Sequence, residues 1–283
     1  MMWLNFIKVI ILGLVEGLTE FAPVSSTGHM IIVDDLWLKS AEFFGSPYVK
    51  NTFLVVIQLG SILAVVVIFF ERFLELLGLK RKTYKFGEPI EGRLRLTHVI
   101  VGILPAGIFG VLFEDIIDEY LFDVKYVIYS LIVGALLMIF ADWYGKRRRE
   151  KGTVIESVDQ ITYKQAFLMG LYQCLALWPG FSRSGATISG GVIVGLSHRA
   201  ASDFTFIMAV PIMVGASFLS LIKNLQYFTP DVLPLFIVGF ISAFVFALVF
   251  IRFFLKLINK IKLVPFAIYR MILAFILFIV IYL

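Results

Sequence analysis

Six stretches of the chain are apolar almost without interruption: residues 53–70, 96–113, 126–143, 204–222, 232–251 and 264–283. A helix needs about 20 such residues to cross a hydrocarbon core about 30 Å thick, so each stretch predicts a transmembrane helix. Two further apolar stretches are broken. Residues 9–33 are interrupted by Glu16, Glu20 and Pro23, and residues 165–198 by Pro179 and Gly180, with Arg183 just beyond. Each has two short apolar arms around a Pro/Gly/Ser hinge, which predicts a re-entrant helix-loop-helix pair that enters to mid-membrane and returns. Backbone outside a helix at that depth must be buried in protein or line a wet cavity, because lipid satisfies no amide. An ordinary kinked span is the competing reading for each.

Composition narrows the class. Of 283 residues, 60% are hydrophobic and 16% charged, against roughly 25% charged in soluble domains. These values exclude a soluble globular domain, a disordered chain and a nucleic-acid binder, and point to an all-α integral membrane protein in a single membrane domain, 1–283. The net charge of +5 sits in loops, as expected of cytosolic segments. One cysteine, Cys174, excludes an internal disulfide framework and a cysteine zinc site. The first apolar run lacks the cleavage site of a signal peptide and is expected to stay as structure.

Basic residues set the orientation. Loop 71–97 carries seven (Arg72, Lys80, Arg81, Lys82, Lys85, Arg93, Arg95), loop 144–164 six and loop 252–263 four. Loop 114–125 has Lys125 against five acids, and loop 223–231 has Lys223 alone. The basic loops are expected in the cytoplasm. The first re-entrant stretch then enters from outside and the second from the cytoplasm, so that their hinges approach near the midplane.

An internal repeat agrees. At an offset of 157, Gly13, Leu14, Leu18, Ser25, Gly28 and Ile31 match Gly170, Leu171, Leu175, Ser182, Gly185 and Ile188. Ile100, Val101 and Gly102 resemble Ile237, Val238 and Gly239, and Ile128-Tyr129 resembles Ile268-Tyr269. Each half, about 1–145 and 160–283, holds one re-entrant pair followed by three spans. Three crossings per half invert the second half relative to the first, and inverted repeats place a shared site at their interface.

Chemistry gathers at the two hinges. Glu16 and Glu20 are four apart, so on a helix both carboxylates share one face. Two like charges there need a bridging cation or a proton, and the spacing suits a hard divalent ion, Mg²⁺ or Ca²⁺, completed by water and phosphate. The competing reading is two acids at an aqueous boundary. Gly13 and Gly17 permit close helix approach beside them. After Pro23, Ser25, Ser26, Thr27 and Gly28 offer hydroxyls and amides before a helix expected near His29, the composition of an anion nest. His29, nine residues from Glu20, is suited to act as base, acid or nucleophile.

At the second hinge Arg183 is the one permanent charge between Lys164 and Arg199. An arginine central in a membrane costs about 2.5–3.5 kcal/mol even on a lenient insertion scale, so it needs a partner. Its planar fork pairs two phosphate oxygens at once, and Ser182, Ser184, Gly185 and Thr187 surround it. The competing reading pairs Arg183 with Glu16 or Glu20 solely to join the halves. Gln58 is expected to touch this site or to bridge helices. Arg199 and Asp203 are expected to form a capping pair, Arg270 to snorkel from the end of the last span, and Pro105 and Pro211 to kink their helices.

These two runs, ExxxE…PxSSTGH at residues 16–29 and PGxSRSxxT at residues 179–187, resemble the signatures of the undecaprenyl-diphosphatase, or bacitracin-resistance, family. The resemblance covers essentially the whole chain, and departures such as Ala22 fall on apolar neighbours. It implies six spans plus two re-entrant pairs in inverted repeats, in a multi-pass protein of the bacterial plasma membrane with its site open to the outer side. It further implies removal of one phosphate from undecaprenyl diphosphate, which recycles the lipid carrier for peptidoglycan and other wall polymers. Bacitracin resistance and a divalent cation come with it. Position by position, Glu16 and Glu20 resemble the family's acidic pair, Ser26 and His29 its serine and histidine, and Arg183 its phosphate-binding arginine flanked by Ser182 and Thr187. The partners implied are a polyprenyl diphosphate and membrane lipids, with no nucleic acid; a homodimer is admitted but not required.

Three attacking groups are consistent with these residues: Ser26 activated by His29, His29 itself, or a metal-bound water, with a covalent step at Ser26 or His29 preferred. A prenyl-phosphate transporter or flippase would use the same midplane anion site. The other large class of lipid phosphatases is excluded, because the position seven residues after Ser182 is Ser189 and no histidine follows until His198.

Overall fold

The computed structural model describes residues 2–80, 92–113, 121, 124–224 and 230–282. The five acids of the 114–125 loop, and Arg81, Lys82 and Lys85, lie outside the described residues. Helices account for nearly everything else: α1 (Met2–Thr19), α2 (Ser26–Met30) with a π-helical extension (Ile31–Leu38), α3 (Ser40–Phe44), α4 (Pro47–Ile68), α5 (Phe70–Leu76) and α6 (Leu96–Leu112). They continue as α7 (Val124–Glu150), α8 (Tyr163–Cys174), α9 (Arg183–Ile193), α10 (His198–Asn224), α11 (Leu233–Ile261) and α12 (Val264–Tyr282). Among the described residues the β pairing seen is one isolated bridge, Ile155 with Leu196.

Five helices, α4, α7, α10, α11 and α12, are long and apolar enough to cross a membrane. The sixth expected span, α6, is apolar but has 17 residues, about 26 Å at 1.5 Å per residue. The exterior is apolar to match: Leu104, Val111, Leu136, Val249, Ile272 and Phe275 are exposed. Several helices outrun the apolar stretches that predict them. α7 includes the basic run 146–149, and α11 continues through Arg252, Lys256 and Lys260. An apolar window finds the part of a helix inside hydrocarbon; backbone bonding continues into the polar boundary, where long basic side chains are solvated.

Local chemistry sets several boundaries. Ser46 caps α4 ahead of Pro47, and Thr162 and Gln165 form a reciprocal capping box on α8. At the start of α12, Asp142 Oδ2 accepts from the amides of Leu263 (2.8 Å) and Val264 (2.9 Å), while its Oδ1 lies 2.6 Å from His198 Nε2. That one buried carboxylate ties α7, α10 and α12 together. Arg199 does reach Asp203, at 3.1 Å, and also donates to the Leu255 carbonyl. Pro105 and Pro211 lie inside α6 and α10, both of which continue past them.

The two broken stretches pack in exchange. α1 lies against α11 and α8 lies against α6. Both contacts are glycine on glycine: a methyl on Gly13 would sit 2.7 Å from the Gly239 carbonyl oxygen, and one on Gly170 would sit 2.3 Å from that of Gly102. Gly17 is as close, with the Ala243 oxygen 2.8 Å from where its Cβ would be. Small residues let helix backbones touch, and here they bring the ends of α1 and α8 inward, each followed by a hinge.

Candidate active site

The two hinges share an unusual backbone. Ser25 has φ 71° and ψ 99°, and Ser182 has φ 73° and ψ 114°, a region L residues rarely occupy. Each serine is the N-cap of the helix that follows: Ser25 Oγ accepts from the Gly28 amide at 3.2 Å, and Ser182 Oγ from the Gly185 amide at 3.1 Å. These are the residues aligned by the 157-residue offset. Each cap satisfies one of the first-turn amides of its helix, which have no intrahelical acceptor of their own.

The space between the hinges is a cavity of about 200 Å³ lined by Glu20, Ser25, Ser26, Thr27, Gln58, Ala176, Pro179, Gly180, Ser182, Arg183 and Met213. Across it, Arg183 Nη2 donates to Glu20 Oε1 at 2.7 Å. Ser26 Oγ donates to the other oxygen, Oε2, at 2.8 Å. Ser184 Oγ donates to the Ala22 carbonyl at 3.0 Å, joining the hinges a second time. Arg183 Nη1, at the cavity, and Glu16 Oε1, behind its wall, are among the buried atoms without a partner. Such atoms are costly unless a ligand satisfies them.

The structure thus brings Glu20, Ser25, Ser26, Thr27, Gln58, Ser182 and Arg183 onto one wall. It leaves other expected site residues behind that wall. Gly28 and Gly185 spend their amides on their own caps. Thr187 is fully buried and donates back to the Arg183 carbonyl at 2.7 Å. Glu16 is 4% exposed, one turn below Glu20 on α1. His29 does not line the cavity: its Nδ1 lies 2.7 Å from the Ser25 carbonyl oxygen and its Nε2 lies 2.6 Å from the Tyr269 hydroxyl. Gln58 does face the cavity.

The expectation that Arg270 snorkels to the boundary is overturned. Arg270 is 0% exposed. Its Nη1 donates to the Phe181 carbonyl at 2.6 Å, Nη2 to those of Ser130 (3.1 Å) and Gly180 (3.2 Å), and Nε to that of Leu131 (3.2 Å). The physical reason lies in the broken helix. Carbonyls in a hinge have lost their helical donors and must find others inside protein, and a guanidinium supplies five. Ser130 Oγ meets a third hinge carbonyl, Pro179, at 2.6 Å. Gly134 makes room for the guanidinium, since a Cβ there would lie 2.3 Å from Nη2.

Sequence reasoning also passed over Gln173, the residue aligned with Glu16 at the 157 offset. It is buried, and neither of its side-chain polar atoms has a partner. A glutamine in an apolar arm was the available signal.

The arrangement has the chemistry an anion would need. It has a cationic fork with one unpartnered nitrogen and hydroxyls from Ser25, Ser26, Thr27 and Ser182, with the Glu20 carboxylate beside them. Comparisons with other proteins agree with that chemistry. The family described as "Bacitracin resistance protein BacA" matches residues 9–276. The chain is 66% identical to a protein of Geobacillus thermodenitrificans named undecaprenyl-diphosphatase, over 276 residues that cover 98% of each chain. Proteins of the same name from Bacillus subtilis and Exiguobacterium sibiricum are 61% and 56% identical, each over 279 residues and 99% of both chains. With nearly its whole length matched, and with apolar helices that make it a multi-pass membrane protein, the chain belongs to the BacA family of bacitracin resistance proteins.

Proposed function

We propose that this chain hydrolyses undecaprenyl diphosphate to undecaprenyl phosphate and inorganic phosphate, returning the lipid carrier to peptidoglycan and wall-polymer synthesis and so conferring resistance to bacitracin. The observation that carries the reading is the meeting of Arg183 with Glu20 across a hydroxyl-lined cavity, in a chain closely similar to proteins named for that reaction. The protein sits in the bacterial plasma membrane with six crossings, α6 completing the set, and two re-entrant pairs in inverted repeats. The matched serine torsions and the exchanged glycine contacts support the repeat. The basic ends of α7 and α11 lie in the cytoplasm, and the cavity opens on the outer side.

Phosphoryl transfer rests on positioning and charge neutralisation. Arg183 turns its free Nη1 and its fork to the terminal phosphoryl group, and Thr27, Ser182 and Gln58 complete the wall around it. Ser26 is the attacking group: its oxygen bonds to the terminal phosphorus, its proton passes to Glu20 Oε2, and the bond from phosphorus to the bridging oxygen breaks. Undecaprenyl phosphate leaves, and water then cleaves the serine phosphate to free inorganic phosphate. His29, with both ring nitrogens engaged outside the cavity, holds the loop. Glu16 and Glu20 are oxygen donors, and the unpartnered Glu16 Oε1 fits a hard cation that takes its remaining ligands from phosphate and water. Mg²⁺ or Ca²⁺ bound there would neutralise charge across the two phosphates.

Phosphate release from purified protein in detergent tests the reading. No two sides exist there, so turnover identifies an enzyme, and binding without turnover identifies the prenyl-phosphate transporter instead.

A further inference from the structure

Both hinges are held from the same helix, by adjacent residues. Arg270 on α12 grips the second hinge through the Gly180 and Phe181 carbonyls. Its neighbour Tyr269 reaches the first hinge through one intermediary. A carbonyl oxygen accepts and never donates, so the 2.7 Å contact with Ser25 O places a proton on His29 Nδ1. In the neutral ring Nε2 then carries the lone pair, and the Tyr269 hydroxyl donates to it at 2.6 Å. The two rings lie parallel within 7°, their centroids 5.5 Å apart.

The Ser25 carbonyl that His29 grips belongs to the residue at φ 71°. A non-glycine residue in such a region costs on the order of 1–3 kcal/mol and persists when its surroundings over-determine it. At Ser182 the surroundings are Arg270, Ser130 and Ser184. At Ser25 the corresponding brace is His29, oriented by Tyr269. The pair has no repeat equivalent, because at the offset of 157 the counterpart of His29 is Ala186, which has no ring nitrogen to offer. The first hinge is also the one whose next residue, Ser26, faces Glu20.

We propose that Tyr269 is a positioning residue for the reaction: through His29 it fixes the Ser25 carbonyl, and so aims the Ser26 hydroxyl at Glu20 and the phosphoryl group. The role of Ser26 rests on the function proposed above; the Tyr269–His29–Ser25 chain does not.

Two measurements on the full-length protein in detergent separate these. With ¹⁵N-labelled histidine, and His29→Ala to assign the signal among His29, His98 and His198, the wild-type spectrum should show Nδ1 of His29 protonated and Nε2 as an acceptor. Tyr269→Phe should move the Nε2 signal. An Nε2-protonated His29, or a spectrum unchanged by Tyr269→Phe, overturns the proposal whether or not the protein turns over. Kinetically, Tyr269→Phe should lower kcat for phosphate release about 10-fold with KM within about twofold, and should cost less than about 1.5-fold in the His29→Ala background. An equal loss in both backgrounds overturns it, since the hydroxyl would then act without His29. Failure of the wild type to release phosphate would instead remove the proposed reaction, while the ¹⁵N signals would still decide whether Tyr269 orients His29.

Discussion

Arg183 and Glu20 are 163 residues apart in the chain and 2.7 Å apart in space, with side chains 15% and 6% exposed. Each is the other's nearest opposite charge at the point where the two hinges meet. Such a pair serves structure and chemistry together, because a diphosphate entering the cavity competes with Glu20 for the same fork. Arg183→Lys keeps the charge and loses the second donor nitrogen and the planar geometry. It is predicted to lower kcat for phosphate release about 100-fold or more, measured in detergent at saturating substrate. A variant within threefold of wild type would mean that Arg183 only joins the halves.

Arg270 is predicted to matter to the fold more than to binding. Replacement by Met fills similar space but strands the hinge carbonyls of Gly180 and Phe181, which receive its protons and, unlike those of Ser130 and Leu131 within α7, have no helical donor. The expected loss is about 2–6 kcal/mol for the two stranded acceptors, read as a lowered midpoint of thermal unfolding in detergent. Gly134→Ala should lower the midpoint as well, by crowding Nη2. An unchanged midpoint in both would show that the hinge carbonyls are satisfied without the guanidinium.

Much of this site was legible in the chain, for a physical reason. A charged or broken segment inside an apolar run is expensive, so Glu16, Glu20, Pro23, Pro179 and Arg183 marked themselves, and the 157-residue offset paired Ser25 with Ser182. Arg270 was legible as a charge in a span but not as a buried one, because the carbonyls it serves belong to residues 130, 131, 180 and 181. No one-dimensional pattern places those beside it. The position of His29 was hidden likewise: its nearness to the nest in sequence implied a place in the cavity, whereas the start of α2 at Ser26 carries its ring round to Tyr269. The helix ends were missed where basic residues continue a helix beyond the hydrocarbon, as in α7 and α11.

A chelator is predicted to abolish phosphate release, and added Mg²⁺ or Ca²⁺ to restore it. Glu16→Gln removes a carboxylate charge and leaves the shape of the arm intact. It should raise the cation concentration for half-maximal rate about 10-fold while the rate at saturating cation falls less. Undiminished turnover in a chelator would remove the cation from the proposal and leave the unpartnered Glu16 oxygen to another donor.

The exchanged helix contacts predict a contrast among glycines. Gly170→Ala puts a methyl 2.3 Å from the Gly102 carbonyl oxygen, and Gly13→Ala puts one 2.7 Å from that of Gly239. Both oppose backbone, which yields little, so each should lower thermal stability by about 1–3 kcal/mol. Gly107, on the same helix as Gly102, has nothing within 4 Å of its would-be Cβ, and Gly107→Ala should be neutral or mildly stabilising. Equal effects at all three positions would contradict the packing of α8 on α6 and of α1 on α11.

The positive φ at Ser25 and Ser182 supplies a test with a defined sign. Ser182→Ala removes the cap on the Gly185 amide, a loss of about 1 kcal/mol, and keeps a Cβ in a region that penalises one. Ser182→Gly removes the same cap but occupies φ 73° without that penalty. The glycine variant is therefore predicted to unfold at the higher temperature, with an advantage larger than the roughly 0.5–1 kcal/mol by which glycine ordinarily exceeds alanine at an N-cap. The same order should hold at Ser25, where the brace is the imidazole. If alanine matched glycine at both positions, the hinges would not be strained, and the serines would be caps and nothing more.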